Sequence, residues 1–236
     1  MNAGQLKLFI TPPHPCSYFG DRQAATLFAD PAAPFDMRIY QWLIDQGFRR
    51  SGEHIYRPNC DGCSDCIPLR VPVRNWRPDR SQRRIWNRSA ARIEVRALAP
   101  RFDPSHYSLY AGYIASRHPG GDMAGNTPES YLRFLTAKWC TTRFVEFRLD
   151  GRLLGIAVTD YLPRGLSAVY TFFDPEQEAI SPGVISIIWQ IRQAEALGLE
   201  WLYLGYWIPG CRKMAYKNRY RPFEVLVEGS WREEIG

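Results

Sequence analysis

The chain has 236 residues, 45% of them hydrophobic and 14% aromatic, with a formal net charge of +6. That length supports a sizeable core in one or two domains, and the composition excludes a disordered or low-complexity chain. No apolar run approaches the ~18 residues of a membrane helix, and the start, MNAGQLKLFITPPHPC, lacks the basic and apolar regions of a secretory leader. The reading is therefore a soluble, cytoplasmic protein, whose six cysteines need an explanation other than disulfides.

Residues 1–15 read as a lead-in with three prolines, and Arg22 to Phe28 as a strand. From Phe35 to Gln46 the spacing of Ile39, Trp42, Leu43 and Gln46 predicts a short helix, ended by Gly47. Phe48 to Tyr56 predicts an extended pair turning at Ser51-Gly52. A cysteine-rich loop follows, then a short strand at Leu69 to Val73, a basic helix at Ser81 to Asn87, and an alternating strand through Ile93, Val95 and Ala97. Pro100 and Pro104 punctuate the chain, which places a lobe boundary there: an N-terminal cysteine-containing basic domain over 1–100 and a second domain over 101–236.

The second lobe opens with helices at Pro104 to Arg117 and Thr127 to Cys140, the latter with Thr127 as cap and Pro128 at the first helical position. Strands follow at Arg143–Leu149, Leu153–Tyr161 and Leu166–Phe173, the first two joined by the hairpin turn Asp150-Gly151. A long helix from Val184 to Leu197 ends at Gly198, and Trp201–Trp207 and Phe223–Val227 read as further strands. The fold class is α+β, a mixed sheet flanked by helices.

Several stretches can carry chemistry. In Cys60-Asp61-Gly62-Cys63-Ser64-Asp65-Cys66, three thiols two residues apart can wrap one metal centre. The spacing suits structural zinc or an iron–sulfur cluster. Free or redox-active thiols are the other readings. Cys16 is the first choice of fourth ligand and His14 the second. Positive charge is concentrated between Arg49 and Arg101, with thirteen arginines, no lysine and five acids. Arginine makes planar, bidentate contact with phosphate or carboxylate. Arg84 and Arg88 fall on one helix face, with Trp76 and Trp86 in the same run, a pattern suited to RNA. A solvated basic helix is the plainer alternative.

Arg117-His118 precedes paired glycines, so His118 could carry a proton or merely end a helix. Asp174 ends the run Val169 to Pro175 before Ser181-Pro182-Gly183 and the long helix, where free amides could receive an anion. The plainer alternative is a turn-forming Asp-Pro. Arg212 to Arg221 forms a second basic patch, with Lys213 and Lys217 expected on one helical face beside Tyr216. A coenzyme A-dependent acyltransferase would need a Gly-rich pyrophosphate loop, for which Ser181-Pro182-Gly183 is a poor one.

Taken together, these motifs resemble the bacterial aspartate/glutamate leucyltransferases, relatives of the eukaryotic arginyl-tRNA–protein transferases. The resemblance rests on Cys16-Ser17-Tyr18, Gly47 to Gly52, Tyr56 to Cys66, Ser81 to Arg84, Arg117-His118, Gly165 to Pro175 and Tyr203 to Lys217, and spans roughly residues 14 to 232. It implies a GNAT-like acyltransferase lobe beside a smaller N-terminal cysteine-bearing lobe. The implied reaction moves leucine from leucyl-tRNA to the α-amine of proteins beginning with Asp or Glu, marking them for N-degron degradation. An arginyl donor, or a non-catalytic metal-stabilised RNA-binding module, is the alternative. Expected partners are leucyl-tRNA and acidic protein N-termini, with neither membrane nor DNA. Asp174, His118 and Tyr170 are the candidates for catalysis. Arg83, Arg84, Arg117, Trp207, Lys213, Tyr216 and Lys217 are the candidates for substrate binding. Cys16, Cys60, Cys63 and Cys66 are the candidate zinc or cluster ligands, with no cofactor required for transfer itself.

Overall fold

A computed structural model describes residues 6–117 and 127–234. The N-terminal part holds strands β1 (Leu8–Ile10), β2 (His14–Pro15), β3 (Gln23–Ala24) and β4 (Thr26–Ala29), helix α1 (Met37–Asp45), and strands β5 (Arg49–Ser51) and β6 (His54–Pro58). The expected strand at 22–28 is thus two short ones, β3 and β4. Asp36 caps α1, accepting hydrogen bonds from the amides of Arg38 and Ile39. β1, β4, β6 and β5 form one four-stranded sheet in that order.

The rest comprises β7 (Ile67–Pro72), α2 (Arg80–Ser89), β8 (Ile93–Leu98), α3 (Pro104–Arg117), α4 (Pro128–Leu135), β9 (Thr142–Leu149), β10 (Arg152–Tyr161), β11 (Gly165–Phe173), α5 (Pro182–Ala196), β12 (Trp201–Trp207), α6 (Arg212–Ala215), β13 (Glu224–Val227) and β14 (Ser230–Glu233). α4 ends five residues before the expected Cys140: Thr136 turns extended and its hydroxyl donates to the Leu132 carbonyl. An eight-stranded sheet runs β14-β13-β7-β12-β11-β10-β9-β8. Two of its strands, β7 and β8, precede residue 100, so the large sheet is built from both sides of that point. β7 lies between β12 and β13, antiparallel to each.

Period-two alternation sorts side chains to the two faces. Phe144, Ile156, Val158 and Phe172 pack with Tyr110 and Ile114 of α3 and Tyr131 and Leu135 of α4. Val145, Phe147, Leu154 and Ala157 face Ile185 of α5, with Ile85 and Trp86 of α2 beside them. The α+β expectation is met. The two sheets are tied by Arg50 of β5, whose guanidinium makes two 2.6 Å bonds to Asp160 of β10, both side chains fully buried.

Candidate functional site

β11 and β12 pair in parallel only from Gly165–Ser167 against Trp201–Tyr203. Both strands then run on without pairing to each other, leaving a notch toward their C-terminal ends. Arg49 of β5 fills part of it. Its Nη2 donates to the carbonyls of Ala168 and Val169 at 3.4 and 3.3 Å, and its guanidinium lies 5.7 Å from the Tyr206 ring. Gly205 makes room for it: at φ +74°, a Cβ there would stand 2.4 Å from the guanidinium carbon. The ionisable groups acting most on Arg49 are the phenols of Tyr56, Tyr206, Tyr18 and Tyr40, and among the described residues Arg49 forms no ion pair.

Lys217 lies beside this group. It is 4% exposed and its Nζ donates to the Tyr206 carbonyl at 2.6 Å. Burial holds its amine well below the usual lysine range, and Arg49 pushes the same way. Lys213 and Lys217 do not share a face. α6 gives way at Tyr216 to a tighter 3-10 turn (Tyr216–Arg219), so Lys213 is exposed and reaches the Arg117 carbonyl at 3.4 Å while Lys217 turns inward. Tyr216, 44% exposed, is an electrostatic neighbour of Arg49 and Tyr113.

An aromatic row continues from there. The Tyr113 ring stands 6.5 Å from Tyr170 and 5.1 Å from Phe173, and Arg117 lies 6.0 Å from the Phe173 ring and pairs with Glu178 at 2.5 Å. Tyr170 packs among Phe134, Phe172 and Tyr110, its buried hydroxyl without a partner among the described residues. Asp174 caps the 3-10 turn Pro175–Ile180 by accepting from the Glu176 amide at 3.0 Å. Trp207 packs against Phe223 in the core. His118 lies outside the described residues.

Arg83 and Arg84 are exposed on α2, which is joined to the second basic patch. The Gln82 amide donates to the Arg219 carbonyl at 3.0 Å, and the Arg77 amide to that of Arg221 at 3.3 Å. The two basic stretches, separate in sequence, therefore form one face.

The four cysteines are neighbours. Burial, then the thiols of Cys60, Cys16 and Cys63, push Cys66 up to about 12. Arg22 approaches Cys63 at 3.7 Å and pairs with Asp65 at 2.6 Å. Yet among the described residues no group of three or more His, Cys, Asp or Glu side chains converges to hold a metal ion. The arrangement does not fit a bound metal as it stands.

Two family models cover most of the chain: the N terminus of arginine-tRNA-protein transferase over residues 14–84 and its C terminus over residues 105–227. The chain belongs to the arginine-tRNA-protein transferase family. Within that family it is 49% identical over 227 residues to an aspartate/glutamate leucyltransferase of Pseudomonas fluorescens (strain Pf0-1), covering 96% of each chain. The corresponding protein of Stutzerimonas stutzeri (strain A1501) is 52% identical over the same share. Among solved structures, L-PGS from Bacillus licheniformis superposes with a TM-score of 0.51 at 13% identity, over 72% of this chain and 58% of that one. The C-terminal domain of a protein described as a lysylphosphatidylglycerol synthetase from Agrobacterium fabrum gives 0.51 at 12%, over 83% and 63%. These likenesses concern the fold alone, an α+β chain with a large mixed sheet. As a member of the transferase family, the chain is an aminoacyltransferase.

Proposed function

We propose that this protein moves leucine from leucyl-tRNA to the α-amine of proteins beginning with Asp or Glu, in the cytoplasm, and so marks them for degradation. The observation that carries this reading is the likeness, about half of all positions over nearly the full length, to relatives named for that activity. The chemistry asks little of acid–base groups. An aminoacyl ester is already activated, so positioning and oxyanion stabilisation do most of the work. The acceptor amine has an ordinary pKa of about 7.7–8.0, so a sizeable neutral fraction exists at pH 7. Asp174 stands at the end of β11 with one oxygen spent on its cap, and it is the described candidate to take up the released proton. His118 is the other candidate.

The basic face of α2 and residues 212–221, with Arg83, Arg84 and Lys213, is suited to the phosphates of the tRNA acceptor arm. Tyr216, Tyr113, Tyr170 and Phe173 offer an apolar row for the leucyl chain, with Arg117 at its far end. Cys16, Cys60, Cys63 and Cys66 form no ready zinc or iron–sulfur site among the described residues, and no step of the transfer is routed through one. The test is incubation with labelled leucyl-tRNA and a peptide beginning with Asp. Label in the peptide is expected, and none, beside an active control enzyme, sinks the reading. Transfer from arginyl-tRNA instead would keep the class and replace the donor.

A further inference from the structure

Arg49 is a half-buried cation that pairs with no carboxylate among the described residues. One of its nitrogens is spent on the carbonyls of Ala168 and Val169. Nε and Nη1 have no hydrogen-bond partner among the described residues, and both lie beside Gly205, whose missing side chain leaves the space next to them. Lys217 is buried beside Arg49, and among the described residues its partners are the Tyr206 carbonyl and the Met214 thioether. A guanidinium held among carbonyls and phenols, with no acid paired to it among the described residues, forms a site awaiting an anion. The site lies where the parallel strands β11 and β12 part, outside their carboxyl ends, the usual ligand position in sheets of this kind.

We propose that Arg49 reads the acidic side chain of the acceptor: the guanidinium set between β11 and β12 receives the carboxylate of an N-terminal Asp or Glu. This rests on the function proposed above and names its specificity-determining residue. A carboxylate is favoured over a tRNA phosphate by access: the phosphodiester chain already has an exposed basic face in α2 and residues 212–221, whereas the half-buried Arg49 is set between strands, where a single side chain at a chain end fits better than a continuous backbone. Gly205 belongs to the same device, since any side chain at that position would displace the guanidinium.

The experiment compares wild type, Arg49→Gln and Arg49→Lys with peptides that begin with Asp, Glu, Asn or Gln and are otherwise identical. Transfer is followed by kcat/KM for peptide and, separately, by KM for leucyl-tRNA. Wild type is expected to prefer Asp to Asn strongly. In Arg49→Gln that preference should fall by at least about 30-fold, the usual cost of removing one partner of a buried hydrogen-bonded charge pair, and mostly through KM for the peptide. Arg49→Lys should fall between, because it keeps the positive charge but not the guanidinium's fixed, several-donor geometry. An unchanged Asp-to-Asn ratio in Arg49→Gln overturns the assignment, as does a loss confined to KM for leucyl-tRNA. If Arg49→Gln does not fold by circular dichroism, Arg49→Lys decides by the same ratio. Wild type that transfers leucine to no peptide would refute the proposed function and take the Arg49 role with it. Transfer without the expected loss of preference would refute Arg49 alone.

Discussion

Adjacent arginines on β5 show how far one residue's fate depends on its partners. Arg50 turns to Asp160 and is locked in the core, while Arg49 turns the other way into the notch. Nothing local in Gly47-Phe48-Arg49-Arg50 separates them, because the deciding contacts lie 110 to 120 positions along the chain. That is why Arg49 is not among the sequence-derived candidates. A signal did exist: Gly205 inside an otherwise bulky strand, Leu204-Gly205-Tyr206, marks a close approach. A second buried pair lends itself to measurement. His106 Nε2 donates to Glu146 at 2.8 Å and Arg148 Nε at 2.7 Å. Burial works against the Glu146 carboxylate, but the bonds from Arg148 and His106 outweigh it and hold the group below its usual range. The folded-state value is the lower one, so the stabilisation is present above the ordinary glutamate value of about 4.3 and is lost as pH falls through the folded one. Glu146→Gln should therefore lose about 1.5–3 kcal/mol at pH 7 and show a shallower acid limb, with the two proteins converging below pH ~4. Parallel urea-unfolding curves at pH 7 and in acid would reject this.

At the scale of elements, the hairpin β9–β10 was legible because Asp150-Gly151 supplies the two positive φ values, 49° and 79°, that its turn requires. α2 was legible too, and its cap makes it a separable unit. Asp79 accepts from the Gln82 amide at 2.8 Å and Gln82 accepts from the Asp79 amide at 2.9 Å. Asp79→Ala should cost about 1 kcal/mol in denaturant unfolding. Removing Arg83 and Arg84 together should leave stability within about 0.5 kcal/mol, since both are exposed, and should lower the salt slope of tRNA binding by up to about 2. An unchanged slope would remove α2 from the RNA face. The 212–221 patch was legible only as charge. The helix expected there needs 3.6 residues per turn to align Lys213 with Lys217, and the switch to three per turn at Tyr216 sends one outward and the other into the core.

For the whole molecule, the boundary read near residue 100 follows the prolines, whereas the sheet follows long-range pairing that no local pattern reports. β7 is apolar and short, and its position between β12 and β13 emerges only when residues 67–72 meet residues beyond 200. A fragment of residues 101–236 would lack β7 and β8 and leave the β12 edge open, so it should show no cooperative thermal transition by circular dichroism. A sharp transition would mean that the second lobe folds alone. The same placement sets an order of events while the chain is being made. Both partners of β7 begin at or after Trp201, so the strand leaves the ribosome long before anything can pair with it. At about 5–20 residues per second the wait is on the order of ten seconds. Pro68 and Pro72, unusual inside a sheet, then acquire a use: each removes an N–H from an edge that is bare throughout that interval, and makes the nascent strand a poor template for a neighbouring chain.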